Sequence, residues 1–388
     1  MNRRSSIFPA ILLLNVLGIL LGSSGAAQMV DADAAENTFT FLPVVVQPRP
    51  PAYKIIYASD QDNAPGVYDI FMMDTDGANV KNLTNTPAES ETYPTWSPDG
   101  TQIAYLSGTE DAADVFVMSS TGQQKLKVSG TPTARARGVV WSPDSSRLGF
   151  VSDRDDAAGI QDVFVVNRDG AGLTNLTHST DRDEWSLDWS PDGAKIVYLA
   201  DLSLHPISFI AHILTMNADG TNKVTISTNN GFNLDPVWSP NGAKIAFILP
   251  GFTGSGLATI QPDGTNRIFV TNPNVIEIVE EGIVWDSSGS RILFRGAEAG
   301  SGGTPNLFIV NAATGAYVNL TTNVPGYGSP FRSVDWSVDD TQVVYDESFG
   351  LNRGDISVIN SDGTGYMNLT QSDDVDDRWP DWSPIMLP

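Results

Sequence analysis

The chain has 388 residues, 41% of them hydrophobic, and a formal charge of −24 with 22 basic and 46 acidic side chains. That balance repels phosphate backbones, and no basic stripe is visible, so nucleic acid is excluded as a partner; cations, basic partners and solubility are what it favours. There is no cysteine, so disulfides, a lipid-modified cysteine and a thiol nucleophile are all excluded, and an exported protein of this kind must be stable by core area alone.

The first element reads as a secretory leader over residues 1–27. Arg3 and Arg4 precede an apolar run, Ile7 to Gly22, and small residues follow with a cut expected after Ala26 or Ala27. The run is short for a membrane span, so the membrane is expected to be met only through an uncleaved leader. Residues 28–52 form a Pro-rich linker, opening on Asp31, Asp33 and Glu36 and closing on Pro48, Pro50 and Pro51. Within it, Phe39-Thr-Phe-Leu-Pro-Val-Val-Val46 has the composition of an edge strand; Pro43 argues against a central one.

From residue 53 onward the chain repeats itself. Seven tryptophans, Trp96, Trp141, Trp189, Trp238, Trp285, Trp336 and Trp382, recur at intervals of 45, 48, 49, 47, 51 and 46 residues. The clearest surroundings are Trp96-Ser-Pro-Asp-Gly100 and Trp189-Ser-Pro-Asp-Gly193. Each tryptophan closes a short strand, a. Ser-Pro-Asp-Gly then makes a tight turn, because proline presets the first φ and glycine accepts the left-handed last position. An alternating run such as Gln102–Ser107 is strand b, Asp114–Met118 is strand c, and Lys125–Val128 is strand d. The c–d turn is usually Asp-Gly, as in Asp74-Thr-Asp-Gly77 and Asn217-Ala-Asp-Gly220, a strong hairpin signal. Strand d ends four times in Asn-Leu-Thr, at 82–84, 175–177, 319–321 and 368–370.

Four-stranded sheets at this period close radially, so the expected fold is an all-β β-propeller over residues 53–388. There are seven b–c–d sets, starting at Ile55, and seven a strands, ending at Trp382. The first set lacks an upstream a strand and the last a strand lacks a following set. Seven four-stranded blades are therefore expected, closed by pairing the C-terminal strand with the first blade, which leaves no lone edge.

The phrase Trp-Ser-Pro-Asp-Gly, a strand like Lys244-Ile-Ala-Phe247, Ser152-Asp-Arg-Asp155, Asp162-Val-Phe-Val-Val-Asn167 and the closing Leu-Thr resemble the WD-like propeller repeat of the TolB family. The resemblance runs through every repeat. It implies an exported propeller of the periplasm, or a secreted one, that binds a protein or peptide. Similar repeats occur in the propellers of some prolyl-oligopeptidase-like and tricorn peptidases, and in lyases with a His-rich metal site. Members of the TolB family proper carry an α/β domain ahead of a six-bladed propeller, whereas here about 25 residues separate leader from repeat.

Variable loops on a rigid scaffold are where binding resides. The a–b and c–d turns share one regular face; the b–c and d–a loops share the other, and the d–a loops lead into the innermost strands. These loops carry Glu91, Arg137, Asp183, Glu184, Asp235, Glu281, Arg332 and Asp377, a mainly acidic ring with two arginine sectors. The leading expectation is a partner-binding mouth that receives a protein or peptide, possibly basic, on a monomeric scaffold without a cofactor. Such carboxylates would suit Ca²⁺ or another hard cation, although no acid spacing matches a calcium loop. Solvated loop charge balanced by neighbouring arginines is the plain alternative. A metal-dependent hydrolase or lyase acting on a lactone, ester or polysaccharide at the mouth is another reading. A third is carbohydrate binding through Trp185 or Trp379, the two tryptophans outside the repeat position. The catalytic signals are poor: three scattered histidines (His178, His205, His212) and no Gly-x-Ser-x-Gly elbow.

Overall fold

The computed structural model describes residues 52–387, except 110, 131–133, 156–158, 202–210, 228–232, 251–254, 273–274, 279–281, 299–304, 323, 325–332, 349–352 and 372–373. The leader, the linker and its Phe39–Val46 run lie outside the described residues. No helix occurs among the described residues; every regular element is a strand.

The strands form seven antiparallel sheets, the blades of a propeller. In blade 2 the order from the inside is Glu91–Trp96, Gln102–Thr109, Ala112–Ser119 and Leu126–Lys127. Blade 1 begins with the end of the chain: Asp377–Trp382 is the inner strand on Lys54–Ser59, with Ile55 opposite Trp382 and Ser59 opposite Asp377. A bridge between Ala52 and Leu387 extends this seam. The seven blades and their mixed-chain closure are thus as the repeat count predicts. Blade 6 departs in detail. Its inner strand is split into Ile276–Ile278 and Val284–Trp285, both paired with Arg291–Glu298.

The outer strands are only two or three residues long, shorter than the apolar pattern suggests. The reason is a side chain that takes over the ladder. In every blade a Ser or Thr just after strand d accepts a main-chain N–H from the second, third or fourth residue of strand c. The pairs are Thr84 with Ile70, Ser129 with Val115, Thr177 with Val163, Ser227 with Ile213, Thr271 with Leu257, Thr321 with Leu307 and Thr370 with Ile356, at 2.8–3.1 Å. The threonine of Asn-Leu-Thr therefore ends the sheet with a hydroxyl in place of a carbonyl.

All seven repeat tryptophans are buried, and each packs on the preceding blade. Trp96 shares a core with Ile56, Ile70 and Leu83 of blade 1, and Trp141 shares one with Ala104, Val115 and Val117 of blade 2. Their main chains are clasped in two ways. Where the residue before the previous tryptophan is Asp, its carboxylate accepts the next tryptophan's main-chain N–H: Asp188 from Trp238 (2.7 Å), Asp335 from Trp382 (2.9 Å), Asp381 from Trp96 (2.6 Å). At three of the four positions where it is Thr or Val, its carbonyl accepts the next indole N–H instead: Thr95 from Trp141, Val237 from Trp285, Val284 from Trp336, at 3.2–3.3 Å; after Val140 the next indole, Trp189, is covered by the Arg147 guanidinium.

The Ser-Pro-Asp-Gly turn is held by its own polar groups and tied to the next blade by Asp99 N–H donating to Ser145 Oγ at 3.0 Å. Ser97 Oγ donates to Asp99 Oδ1 (2.6 Å) and accepts Gln102 N–H (3.0 Å), while Thr101 N–H donates to Asp99 (3.0 Å). Gly100 sits at φ +66°, and a Cβ there would lie 2.3 Å from Ile385 Cγ1, so both backbone and packing require glycine.

Trp382 holds the seam between the last strand and the first blade. Trp382→Ala should cost about 3–5 kcal/mol, the range for emptying a large aromatic from a core. It should also lower the urea midpoint more than Trp185→Ala, whose side chain only flanks its core. Equal midpoints for the two variants would contradict the closure described here.

Candidate functional site

The mouth on the variable-loop face is built from the starts of the inner strands. These strands are bulged in five blades, and the bulge falls at one place, three residues before the repeat tryptophan. Backbone φ there is left-handed: Tyr93 +51°, Gly138 +59°, Ser186 +39°, Asp235 +51°, Gly282 +107° and Trp379 +53°. Glycine, serine and aspartate tolerate that region; a tyrosine and a tryptophan in it are outliers, and a bulge re-aims the side chain it carries. Trp379 turns inward and is buried between Tyr68 and Tyr93. The Tyr93 ring lies 4.4 Å from that of Trp379, and Tyr68 meets it edge-on at 5.5 Å. Tyr93 itself is 52% exposed.

Beside this aromatic stack runs a half-open groove of about 1310 Å³ across blades 1, 2 and 3. Its walls include Leu106, Phe116 and Val139, and its polar groups include Glu89, Lys127 and Arg137. Asp114 at its base is neutralised by Lys127 at 2.7 Å. Tyr68 donates its hydroxyl to Asp376, and Arg378 Nε holds the other oxygen of Asp376 at 2.6 Å. Burial, and the bond to Asp376, push the Tyr68 hydroxyl above its ordinary range.

The expected acidic ring is placed differently from a row of solvated charges. Glu91, Glu184 and Asp377 occupy one position, five residues before the tryptophan, and all three are buried. Each sits against the aspartate that opens strand c of the preceding blade: Glu91 by Asp69, Glu184 by Asp162, Asp377 by Asp355. In two of these junctions one residue serves both blades, its hydroxyl donating to one carboxyl and its N–H to the other. Thr86 Oγ1 donates to Glu91 (2.5 Å) while its N–H donates to Asp69 (2.8 Å); Ser179 does the same for Glu184 (2.5 Å) and Asp162 (2.7 Å). The asparagine of Asn-Leu-Thr completes each: Asn82 to Asp69 (2.8 Å), Asn175 to Asp162 (2.8 Å), Asn368 to Asp355 (2.7 Å). Where Ala136 stands at the −5 position, Asp114 pairs with Lys127 instead; where Asn233 does, it donates to the Ala211 carbonyl at 2.6 Å.

Two buried carboxyls in contact cannot both ionise cheaply. Burial, with Asp69 beside it, lifts Glu91 to about 7; burial, with Asp162 beside it, lifts Glu184 to about 8; burial, with Asp355 and Asp376, lifts Asp377 to about 7. Asp69 is the opposite case. Burial works against its charge, yet Thr86 N–H and the side chains of Asn82, Asn63 and Thr84 hold it below the usual carboxylate range.

The remaining expected residues fall as follows. Asp235 is half-buried and clasps blade 6, accepting Gly282 N–H (2.7 Å) and Ile283 N–H (3.0 Å). Asp183 accepts Gln161 N–H at 2.9 Å. Of the six that are described, Arg137 alone lines the groove. Glu281 and Arg332 lie outside the described residues. Trp185 is half-buried against the core between blades 4 and 5, and His212 faces the Ser227 carbonyl at 3.3 Å. No group of three or more His, Asp or Glu able to hold a metal ion occurs among the described residues. Tyr68, Tyr93 and Glu89 are what the sequence reading passed over in the groove. Aligning the repeats three residues before each tryptophan would have singled out Tyr93 and Trp379.

The TolB beta propeller domain profile matches residues 52–275, more than half of the chain. The chain belongs to this family. Among solved structures, TolB from Acinetobacter baumannii superposes with a TM-score of 0.53 at 16% identity, covering 87% of this chain and 81% of that one. An oligogalacturonate lyase in complex with manganese gives 0.62 at 15%, covering 84% and 87%. A puromycin hydrolase gives 0.64 at 13%, covering 85% of this chain and 55% of that one. At these identities the likeness is one of fold. No curated protein matches the sequence.

The junction carboxyls give a pH dependence with a definite sign. A carboxyl whose folded value is raised contributes stability that is fully present below its unfolded value, about 4, and is lost as pH rises through 7–8. The turn aspartates act oppositely: hydrogen bonds from Ser142 and Ser146 lower Asp144 to about 2, so its contribution is lost only in acid. Thermal melting should be highest near pH 4.5–6 and decline towards 8.5, and Glu184→Gln should flatten the decline. A melting temperature that rises from pH 5 to 8 would contradict the assignment.

Proposed function

We propose that this TolB-family propeller is an exported binding module that receives a segment of a partner protein or peptide in the groove across blades 1–3. The observation that carries the reading is the groove itself, walled by apolar side chains and headed by an exposed Tyr93 held on a left-handed bulge. Exposed, rigid aromatic rings in a concave site are the usual anchors of partner recognition, because they supply contact area at small entropic cost. The overall charge of −24 and the exposed Glu89 at the rim favour a segment carrying basic residues and would speed its arrival. Family membership supports the binding reading: TolB is among the similar folds, alongside a lyase and a hydrolase.

The stack of Tyr68, Trp379 and Tyr93 favours one second reading, a sugar ring laid on Tyr93 with Ser90, Thr92 and Ser107 as hydroxyl partners.

A photocrosslinking residue at position 92 should capture a discrete protein from cell-envelope extract. The same residue at 265, on the opposite turn face, should not, and Tyr93→Ala should cut the yield at position 92 at least about tenfold, the loss of one anchor residue. Equal labelling at 92 and 265 would sink the partner-segment reading. Tyr93-dependent binding on a glycan array, with no protein captured, would favour the sugar.

A further inference from the structure

The groove's rim loop is fastened from beneath by two buried acids: Asp69 of blade 1 takes the Thr86 N–H at 2.8 Å, and Glu91 takes the Thr86 hydroxyl. Glu91 lies two residues before Tyr93, at the end of the loop that supplies Ala88, Glu89 and Ser90 to the groove. Its Oε1 accepts Thr86 Oγ1 (2.5 Å) and lies 3.4 Å from Ser107 Oγ, which also reaches Glu89 (3.2 Å). Its Oε2 is buried without a hydrogen-bond partner among the described residues. The charged and titratable groups around it are Asp69 from strand c of blade 1, Glu89 from the rim loop and Tyr105 from strand b of blade 2. Lys125 donates to the Thr84 carbonyl (2.5 Å).

An anion at Glu91 would therefore face two carboxylates with one of its oxygens in a dry, unpartnered position. A neutral carboxyl fits; a charged one is driven towards water.

We infer that Glu91 is a proton switch for the groove: neutral, it pins the rim loop and the Tyr93 platform, and on losing its proton it leaves its pocket and releases both. The inference rests on the binding reading for its consequence, which is that a partner seated on Tyr93 is held at mildly acidic pH and let go as pH rises. The lift of Glu91 to about 7 by burial and by Asp69 places the change within a physiological range. Glu184 and Asp377 occupy equivalent junctions; neither acid lines the groove, although the strand of Asp377 supplies Trp379 to it.

The test uses the full-length protein without any ligand. Hydrogen–deuterium exchange of amides 84–95, corrected for intrinsic rates, is followed from pH 5.5 to 8.5. Protection should fall from pH 5.5 to about 7, by up to about tenfold per pH unit for one linked proton, and level off above that. Amides 136–141 of blade 3, where Ala136 takes the place of Glu91, serve as the control within the same molecule and should stay level. Glu91→Gln should abolish the fall at 84–95. Level protection at 84–95 in the wild type, or an equal fall at 136–141, would overturn the switch. Since no ligand is present, that outcome leaves the groove's binding role standing, and failed crosslinking at position 92 would leave the switch standing.

Discussion

A four-stranded blade cannot cover both of its faces, and the repeat tryptophan is where this chain meets that constraint. Each indole closes an inner strand and is buried against the blade before it, so no blade is complete without its neighbour. The requirement runs round the ring and reaches the chain ends, where Trp382 and its strand must come back to Lys54–Ser59. The clasp between successive inner strands is flexible in chemistry. A carboxylate on a main-chain N–H serves where Asp precedes the tryptophan, and a carbonyl on an indole N–H serves at three of the four junctions where an uncharged residue does. What recurs around the ring is the burial of the indole on the preceding blade.

The blades were legible in the sequence because their signals are local. A tight turn, an Asp-Gly hairpin and period-two alternation each depend on residues a few positions apart. Blade count and closure followed from arithmetic on those signals. The mouth was less legible, for a physical reason. Glu91, Glu184 and Asp377 read as loop charges, and loop charges are normally solvated. Their burial depends on contacts between loops of different blades, with an aspartate some 22 residues upstream, so the sequence position of each acid says little about its surroundings. The pattern was nonetheless present: these acids occur where the preceding repeat has both an aspartate opening strand c and the Asn-Leu-Thr ending. Asn306 replaces that aspartate in blade 6, and no acid stands five residues before Trp336.

One residue type thus serves two opposed electrostatic roles. In the Ser-Pro-Asp-Gly turns, aspartates gather hydrogen bonds at the surface and ionise readily, as Asp144 does. At the blade junctions, carboxyls are withdrawn from water and share a site with another carboxyl, so one of each pair retains its proton into the neutral range. The groove lies above one such junction, and its exposed tyrosine stands on a backbone conformation that tyrosine seldom adopts. Recognition surface and proton-sensitive fastening are therefore neighbours in the same loop.

The central claim is that the junction carboxyls are neutral near pH 6 in the folded protein. Difference potentiometry tests it directly, by comparing protons bound to the folded chain with those bound in denaturant between pH 5 and 9. The account predicts that the folded chain holds several more protons than the unfolded one near pH 6 and releases them by about pH 8.5, each such group having been lifted from about 4. Superimposable titration curves across that range would contradict it.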